Sequence, residues 1–292
     1  MATESQMSRA GVERARADAA LSGVCTRACR AVGLCCVVSI AAACGASVSV
    51  DDADRSMKQF ELAVGLQQEG NRAGAFKTLY KAIEYDPDNP RAHLLLAHLF
   101  LLNRDDDPTR YDREAEKHFR KVLEIQASAE AIQEPLASQA RNGLGVLHIH
   151  QHLYGRAVGE LNAAVSDLFN RDAYMAWGNL GWAYLELHNY PKAIDALIRS
   201  VQLRRDFCVG HFRLGRAFLA THDFAKAEQS FTSAVEADPR CDGFQDAWQL
   251  RGEARMSLGN REDARSDFER CVELQPKTES GKACSHYLAV TH

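Results

Sequence analysis

The sequence predicts an all-α protein, a solenoid of about six helix pairs closed by a C-terminal capping helix. One pattern of apolar and small residues returns six times along the 292 residues. Only seven residues are Pro, whereas Ala, Leu, Glu and Arg are frequent, which favours helix over sheet. Stacked repeats need a covering element at their open end, and residues 279–290 can supply it as a final helix.

The first 43 residues are predicted to be a signal peptide of the lipoprotein type. Arg27 and Arg30 precede an uncharged run, 31–43, of the length expected for the hydrophobic region of a secretory signal. Small residues at 41–43 suit a signal peptidase, and Cys44 directly after them turns the cleavage site into a lipobox. The region before the run is long, so translation is expected to start nearer Val24.

Two alternatives to this leader remain open. The uncharged stretch continues to Val50, which also fits an uncleaved single-span membrane anchor. An ordinary cleaved signal peptide is the other. If Cys44 is acylated, its chains anchor the protein stably to a membrane, and the linker is expected over 44–55. Gly45 after the Cys is typical of an outer-membrane address on the periplasmic face, with inner-membrane anchoring as the alternative.

Three positions define the repeat. The first is a large residue followed by a small one, where two helices approach closely: Leu62-Ala63, Leu96-Ala97, Leu144-Gly145, Leu180-Gly181, Leu214-Gly215 and the degenerate Arg251-Gly252. The second is an Ala at the helix crossing: Ala75, Ala115, Ala157, Ala193, Ala227 and Ala264. The third is a large apolar residue: Leu79, Phe119, Leu161, Leu197, Phe231 and Phe268. Chance periodicity would not keep Ala in the same place six times.

The stretch "WGNLGWAYLELHNYPKAIDAL", residues 177–197, resembles the tetratricopeptide repeat, a helix–turn–helix unit. The resemblance implies a right-handed superhelix over 56–292, with repeats at about 56–89, 90–129, 138–171, 174–207, 208–241 and 245–278 and the cap at 279–290. The second unit carries about six extra residues, assigned to its inner turn. Its Asp105-Asp106-Asp107 run lacks the Gly and Glu of a calcium loop and indicates a solvated loop.

Four cysteines follow a long stretch without any and predict two disulfides in an exported chain. Cys208 opens the fifth unit and Cys241 follows its second helix, so both lie where the ends of an antiparallel helix pair meet. This favours Cys208–Cys241, with Cys271–Cys284 joining the last repeat helix to the cap. Four buried free thiols are the alternative.

No enzyme is expected, because no nucleophile elbow, phosphate loop, zinc-protease motif or dinucleotide turn occurs. His148 and His152 stand one helical turn apart, but a zinc pair needs further ligands, so no metal or other cofactor is predicted. The net charge of −4 with dispersed Lys and Arg argues against nucleic acid. A small-molecule substrate is not expected either.

The first helices of the units are predicted to line a concave groove that binds a protein partner. Its inward positions are mostly apolar: Met57, Phe60, Val64, Leu94, Leu101, Val146, Ile149, Met175, Trp182, Leu185, Val209, Phe212 and Leu219. In the sixth unit they turn polar, with Asp246, Gln249 and Glu253. An apolar groove suits an amphipathic helix or strand, with Trp182 as the central contact. The alternative is that some of these residues pack against the N-terminal segment or each other.

The lipobox, the six units and the paired cysteines together resemble the pilotin lipoproteins of type IV pili, the Tgl and PilF/PilW type. The likeness is greatest in 178–215, through the N-L-G-W-A run and Phe207-Cys208, and it extends over about 44–288. On these matches Gly178, Trp182 and Cys208 carry over as site residues.

The resemblance implies an outer-membrane lipoprotein without catalytic activity, which binds secretin subunits in its groove and promotes their assembly. Two other classes remain open. A general periplasmic adaptor for another envelope assembly or export machine would share these features except the family-like segment. A cytosolic co-chaperone scaffold would require that Cys44 is not acylated.

Overall fold

The computed structural model describes residues 48–104, 107–128 and 136–290. These residues form thirteen α-helices and one short 3₁₀ helix, Pro239–Gly243, and contain no strand. The helices are α1 Val50–Gln68, α2 Arg72–Tyr85, α3 Pro90–Leu102, α4 Pro108–Ser128, α5 Leu136–His150, α6 Tyr154–Val165, α7 Ala173–Glu186, α8 Tyr190–Leu203, α9 Cys208–Ala220, α10 Phe224–Glu236, α11 Gln245–Ser257, α12 Arg261–Leu274 and α13 Glu279–Val290. The predicted all-α solenoid of six helix pairs and a capping helix is confirmed.

The helices stack as successive pairs, α1 with α2 through α11 with α12. Neighbouring first helices, such as α5 and α7 or α7 and α9, also approach one another, and they do so more closely than the second helices do. The stack therefore curves, with the odd-numbered helices α1 to α11 on its inner side.

The three repeat positions form the core. All six crossing Ala residues and all six large apolar residues after them are fully buried. In units three to six the small residue is Gly and faces the large residue on the second helix: a Cβ on Gly215 would lie 2.6 Å from the Phe231 ring. A larger side chain there would force the two helices apart. Leu62 is 53% exposed, because α1 is the first described helix and nothing described packs against its outer side.

The turns inside the helix pairs need a residue with positive φ. Gly70 and Gly259 supply it in the first and sixth units, at φ 78° and 86°. In three middle units a histidine takes this conformation instead, and its ring lies edge-on to an aromatic residue two positions later: His152, His188 and His222. The contact offsets part of the steric cost of a side chain at positive φ.

The extra residues of the second unit were predicted to lie in its inner turn. In the structure most of them lie in the second helix instead. The turn between α3 and α4 is only slightly longer than the others. Most of the insertion instead lengthens α4, which starts a full helical turn further ahead of Ala115 than α2 does of Ala75. Arg104 pairs with Asp112 in this extra turn, Nε to Oδ1 at 2.8 Å, and ties it to the end of α3.

The sixth unit places Arg251 where the other units have Leu. Its guanidinium is buried and pairs with the buried carboxylate of Asp267 on α12, with Nη2 2.7 Å from Oδ1. Arg255 donates to the same carboxylate at 2.9 Å. A buried ion pair with its hydrogen bonds satisfied replaces the apolar contact, which explains why the degenerate unit keeps the helix pair.

The C-terminal end is held by disulfides and by the cap. Cys208 is joined to Cys241 and Cys271 to Cys284, the connectivity that the sequence favoured, with Cα–Cα distances of 5.8 and 6.3 Å. α13 packs on α12, where the Tyr287 ring stacks on Phe268 at 4.6 Å between centroids. The cap predicted at 279–290 is therefore the helix α13.

Several sequence predictions lie outside the described residues, namely the leader 1–43, Cys44 and its acylation, and Asp105-Asp106. α1 begins at Val50, so the last part of the predicted linker 44–55 belongs to the first helix. In the described ranges no helix combines the length and the apolar character needed to cross a membrane.

Candidate functional site

The inner side of the first three units contains a cavity of about 520 Å³. Helices α1, α3 and α5 supply its wall, and apolar side chains make up most of it: Phe60, Val64, Leu94, Leu95 and Leu136, together with His98, Gln67, Arg91 and Gln139. Phe60, Val64 and Leu94 are among the residues that the sequence placed in the groove. The cavity is large enough to hold several apolar side chains of a bound segment.

A second cavity, of about 220 Å³, continues the first along the inner side. The two share His98 and Gln139, so together they form one groove. The wall becomes polar here, with Asn142, Asn170 and Asp172 facing the exposed Met175. Met175 is therefore accessible to a partner.

A chain of polar side chains follows across the inner faces of α5, α7 and α9. Asn179 donates from Nδ2 to Oδ1 of Asn142 at 2.9 Å. Arg213 donates from Nη1 to Oδ1 of Asn179 at 2.9 Å and to the carbonyl oxygen of Gly178 at 3.1 Å. The groove thus passes from an apolar end in the first three units to an amide and guanidinium end in units three to five.

Trp182 lies beside this polar chain and is half-buried. The Arg213 guanidinium carbon lies 4.5 Å from the centroid of its ring, and the His150 ring contacts it edge-on at 5.5 Å. The indole Nε1 donates to Oε1 of Glu186 at 3.0 Å. These contacts cover part of the Trp182 surface, and the remaining exposed part leaves its predicted contact with a partner a prediction.

The other residues predicted to line the groove differ in how far they are buried. Ile149 and Leu185 are buried in the core between units and offer no surface to a partner, which corrects the prediction for these two. Gly178 is buried too, because a Cβ there would lie 2.9 Å from the Phe207 ring. Several are half-buried against neighbouring helices: Met57, Leu101, Val146, Phe212 and Leu219. Val209 is exposed, but it lies with Tyr174 and Arg240 in a separate depression near the Cys208–Cys241 bridge.

His148 and His152 do not share a helix face. α5 ends at His150, so His148 is buried within the helix while His152 sits in the turn and bonds the Tyr154 hydroxyl at 2.7 Å. Among the described side chains, no group of three His, Cys, Asp or Glu residues is arranged to hold a metal ion.

The sequence reasoning missed the polar chain of Asn142, Asn179 and Arg213. A signal was present, because Asn179 and Arg213 each directly precede the Leu of the repeat pattern and so occupy equivalent positions in successive units. Only the geometry shows that this position bridges neighbouring first helices.

Three family models of the tetratricopeptide repeat match the chain, at residues 154–206, 210–241 and 245–278. A UDP-N-acetylglucosamine–peptide N-acetylglucosaminyltransferase of Giardia intestinalis is 30% identical over 108 residues, which is 37% of this chain. The matched region spans only 7% of that protein's length.

Solved structures of similar fold include two pilus proteins. PilF of Pseudomonas aeruginosa is 19% identical with a TM-score of 0.65, covering 81% of this chain and 99% of that one. PilW, a widely conserved type IV pilus biogenesis factor, is 18% identical with a TM-score of 0.64, covering 78% and 96%. The Cut9–Hcn1 hetero-tetramer of APC/C gives a TM-score of 0.66 at 13% identity, covering 82% and 44%. Such repeats typically form scaffolds for protein–protein interaction, and the described part of this chain is a tetratricopeptide-repeat solenoid.

Proposed function

We propose that this protein is an outer-membrane lipoprotein scaffold that binds secretin subunits in its inner groove and promotes their assembly in type IV pilus biogenesis. The protein acts without catalysis. Its groove holds an amphipathic segment of each subunit until the subunits join the ring, and the lipid on Cys44 keeps the scaffold at the membrane.

The apolar cavity of about 520 Å³ between the first three units carries the proposal. An open apolar cavity on an inner helical surface suits side chains that would otherwise be exposed to water. The proposal requires that a secretin subunit exposes amphipathic segments before assembly, which binding in the cavity would shield from aggregation. The fold shared with PilF and PilW over nearly their whole lengths supports the same interpretation.

Membrane attachment is tested on Cys44. We expect radiolabelled palmitate to be incorporated into the full chain and to be lost in the Cys44→Ala variant. If the label is absent from the unaltered protein, the lipid anchor is wrong and the attachment must have another basis.

Secretin assembly is tested in a strain that lacks the gene, by comparing heat-resistant secretin multimers with total secretin. We expect monomers to persist and multimers to disappear, and the unaltered gene to restore them. Val64→Glu places a charge in the cavity wall and is expected not to restore multimers. Leu62→Glu is the matched control, because Leu62 lies on the same helix, is 53% exposed and does not line the cavity.

A general periplasmic adaptor for another envelope machine is the alternative function. It would use the same groove and the same anchor. Normal multimers in the deletion strain would reject the secretin scaffold and favour this alternative, and the partner could then be sought by cross-linking at Val64.

A further inference from the structure

The turn between α6 and α7 carries two adjacent apolar side chains that point into water. Leu168 is 96% exposed and Phe169 is 72% exposed. Single exposed apolar residues are common on protein surfaces, but two neighbours this exposed contribute little to the core. Their apolar character therefore points to a contact outside the chain.

Two other turns between units show that this backbone does not require apolar residues. In the α6–α7 turn the Phe169 N–H donates to Oδ1 of Asp167 at 2.9 Å, and the Asn170 N–H donates to the Asp167 carbonyl oxygen at 3.2 Å. The same two bonds form around Asp86 after α2 and around Asp238 after α10. Those turns carry the dipeptides Pro-Asp and Pro-Arg at the tip. The turn thus forms with charged residues in the same place, and its conformation does not explain the apolar pair.

The apolar pair is also held in a fixed position. Asn170, which follows it, is buried and donates from Nδ2 to the carbonyl oxygen of Ala164 at 3.1 Å. Its Oδ1 accepts from the Asp172 N–H at 3.0 Å. Because these bonds order the turn in advance, burying Leu168 and Phe169 against another surface costs little further conformational entropy.

The tip lies on the edge of the solenoid at which the first helices begin. Each turn between units joins the end of a second helix to the start of the next first helix, so these turns share one edge. α1 starts on the same edge at Val50, which is 90% exposed. Only residues 45–49 separate Val50 from Cys44, and this stretch reaches no further than about 20 Å. A lipid on Cys44 would therefore hold this edge close to the membrane.

The size of the apolar pair fits a bilayer better than a protein partner. A stable protein interface takes about 800 Å² from each partner, which is far more than two side chains supply. Leu and Phe enter the boundary between lipid headgroups and acyl chains readily, because fluid lipid closes around them without a preformed pocket.

We propose that Leu168 and Phe169 insert into the headgroup boundary of the bilayer to which the lipid on Cys44 attaches the protein. The inference rests on the lipid anchor of the proposed function and adds a second contact with the same membrane. One flexible tether leaves the solenoid free to rotate. Two contacts on one edge hold the first helices pointing away from the bilayer, which gives the inner groove a constant orientation.

Tryptophan quenching on vesicles tests the insertion. The lipidated protein is reconstituted into vesicles of phosphatidylethanolamine and phosphatidylglycerol whose acyl chains are brominated near the headgroup. The variant Phe169→Trp adds one indole to the three native tryptophans. We expect the emission that it adds to be lost in brominated vesicles and kept in unbrominated ones. Leu187→Trp is the matched control, because Leu187 is exposed in a turn on the opposite edge and its added emission should persist.

Emission from Phe169→Trp that persists in protein floating with the brominated vesicles would overturn the insertion and leave the anchor intact. If the protein neither floats with vesicles nor incorporates palmitate, both the anchor and the insertion are overturned. If Phe169→Trp is unquenched and a variant with Leu168→Ser and Phe169→Ser loses secretin multimers in cells, the pair contacts a protein instead of lipid.

The same double Ser variant tests the other uses of the pair. Because both side chains are exposed, we expect its circular dichroism melting curve to match that of the unaltered protein. A lower melting temperature would show that the pair has a role inside the fold. A dimer that sedimentation detects in detergent for the unaltered protein, and that the double variant loses, would assign the pair to contact with a second copy. Either result would overturn the membrane contact.

Discussion

Two arginines of this protein each lie over a tryptophan ring, but Arg251 is buried and Arg213 is half-exposed, and their hydrogen-bond partners differ. Arg251 on α11 lies over the Trp248 ring with its guanidinium carbon 4.5 Å from the ring centroid, and Arg213 on α9 lies over Trp182 at the same distance. Arg251 pairs with the buried carboxylate of Asp267. Arg213 bonds only neutral oxygens.

The difference separates a buried cation that the fold must neutralise from a half-exposed one that it need not neutralise. Arg251 replaces the Leu of the repeat pattern, so its charge must be neutralised for the sixth unit to hold together. Arg213 sits beside that pattern, on the inner side of the stack, and stays in partial contact with water, so the fold does not require a carboxylate beside it. The arginine near the end that α13 covers thus has a carboxylate partner, whereas the arginine on the inner side of the fifth unit has neutral partners.

The largest effect is expected from Asp267→Asn, which removes the carboxylate from between Arg251 and Arg255. Both guanidinium groups bond this carboxylate. After the change the buried Arg251 keeps only the exposed Glu236 at 3.4 Å, while Arg255 keeps Glu228 at 2.9 Å. We expect the free energy of unfolding to fall by about 3–5 kcal/mol. Urea denaturation followed by circular dichroism measures it.

Asn keeps the shape of Asp, so lost packing does not contribute to that result. Asp263→Asn is a control on the same helix at an exposed position. A fall below about 0.5 kcal/mol, the size of an ordinary surface effect, would mean that Arg251 does not depend on Asp267. The contrast with Arg213 would then lose its basis.

The two disulfides should differ in accessibility to reductant, because one lies under the cap α13 and the other lies at the start of α9. Cys271 and Cys284 are both fully buried under the cap, whereas Cys208 is half-buried at the start of α9. We expect mild reduction followed by alkylation and mass spectrometry to label Cys208 and Cys241 first. Replacing this pair by Ala should lower the unfolding free energy by about 2–4 kcal/mol.

Replacing Cys271 and Cys284 by Ala gives a second unfolding free energy for comparison. This bridge spans 13 residues of sequence against 33 for the first, so its loss should release less unfolded-chain entropy. Earlier labelling of the capped bridge would show that the cap opens more readily than the groove region, which contradicts the division drawn here.

The fold was predictable from the sequence because each repeat position has one local role. Ala157, Leu161 and their equivalents are buried in every unit, so their residue types carry the pattern directly. The site was predictable only in part. Leu185 and Val64 are both apolar inner-side residues, yet one packs between units and the other lines the cavity. That distinction depends on how neighbouring units are rotated, which the repeat pattern does not encode.

Besides the two arginines, the protein contains a pair of buried histidines, His93 and His118, that carry no charge at neutral pH. His93 and His118 contact through their Nδ1 atoms at 2.8 Å, and Nε2 of His93 faces the Pro87 carbonyl oxygen at 2.9 Å. Burial lowers the pKa of His118 to about 4, helped by His93 and Lys117, and burial also lowers the pKa of His93. This pair is neutral at pH 7, unlike either arginine.

The sign of the pH effect follows from these lowered values. An unfolded His has a pKa of about 6.5, so below that pH the unfolded chain binds more protons than the folded one. Stability present above pH 6.5 is therefore lost as the pH falls towards 4. We expect a loss of about 2 kcal/mol between pH 6.5 and 5.

The variant His118→Phe should make this dependence less steep, since Phe fits beside Phe100, on which the His118 ring stacks. Part of the dependence should remain, because burial also lowers the pKa of His98 to about 4 and lowers the pKa of His93. His222, which is exposed in a turn, supplies the control His222→Gln, with an unchanged slope. An identical slope in His118→Phe would place the acid sensitivity elsewhere in the chain.

The smallest effect on stability is expected from Arg213→Gln. The change loses two hydrogen bonds and the contact with Trp182, but it also removes the desolvation cost that lowers the pKa of this half-exposed guanidinium. These contributions oppose each other, so we expect the unfolding free energy to change by less than about 1 kcal/mol. Arg251→Gln should cost several times more, because the buried carboxylate of Asp267 loses the hydrogen bonds of Arg251 and keeps only the one from Arg255. If the two variants are equally destabilised, Arg213 is a structural residue like Arg251.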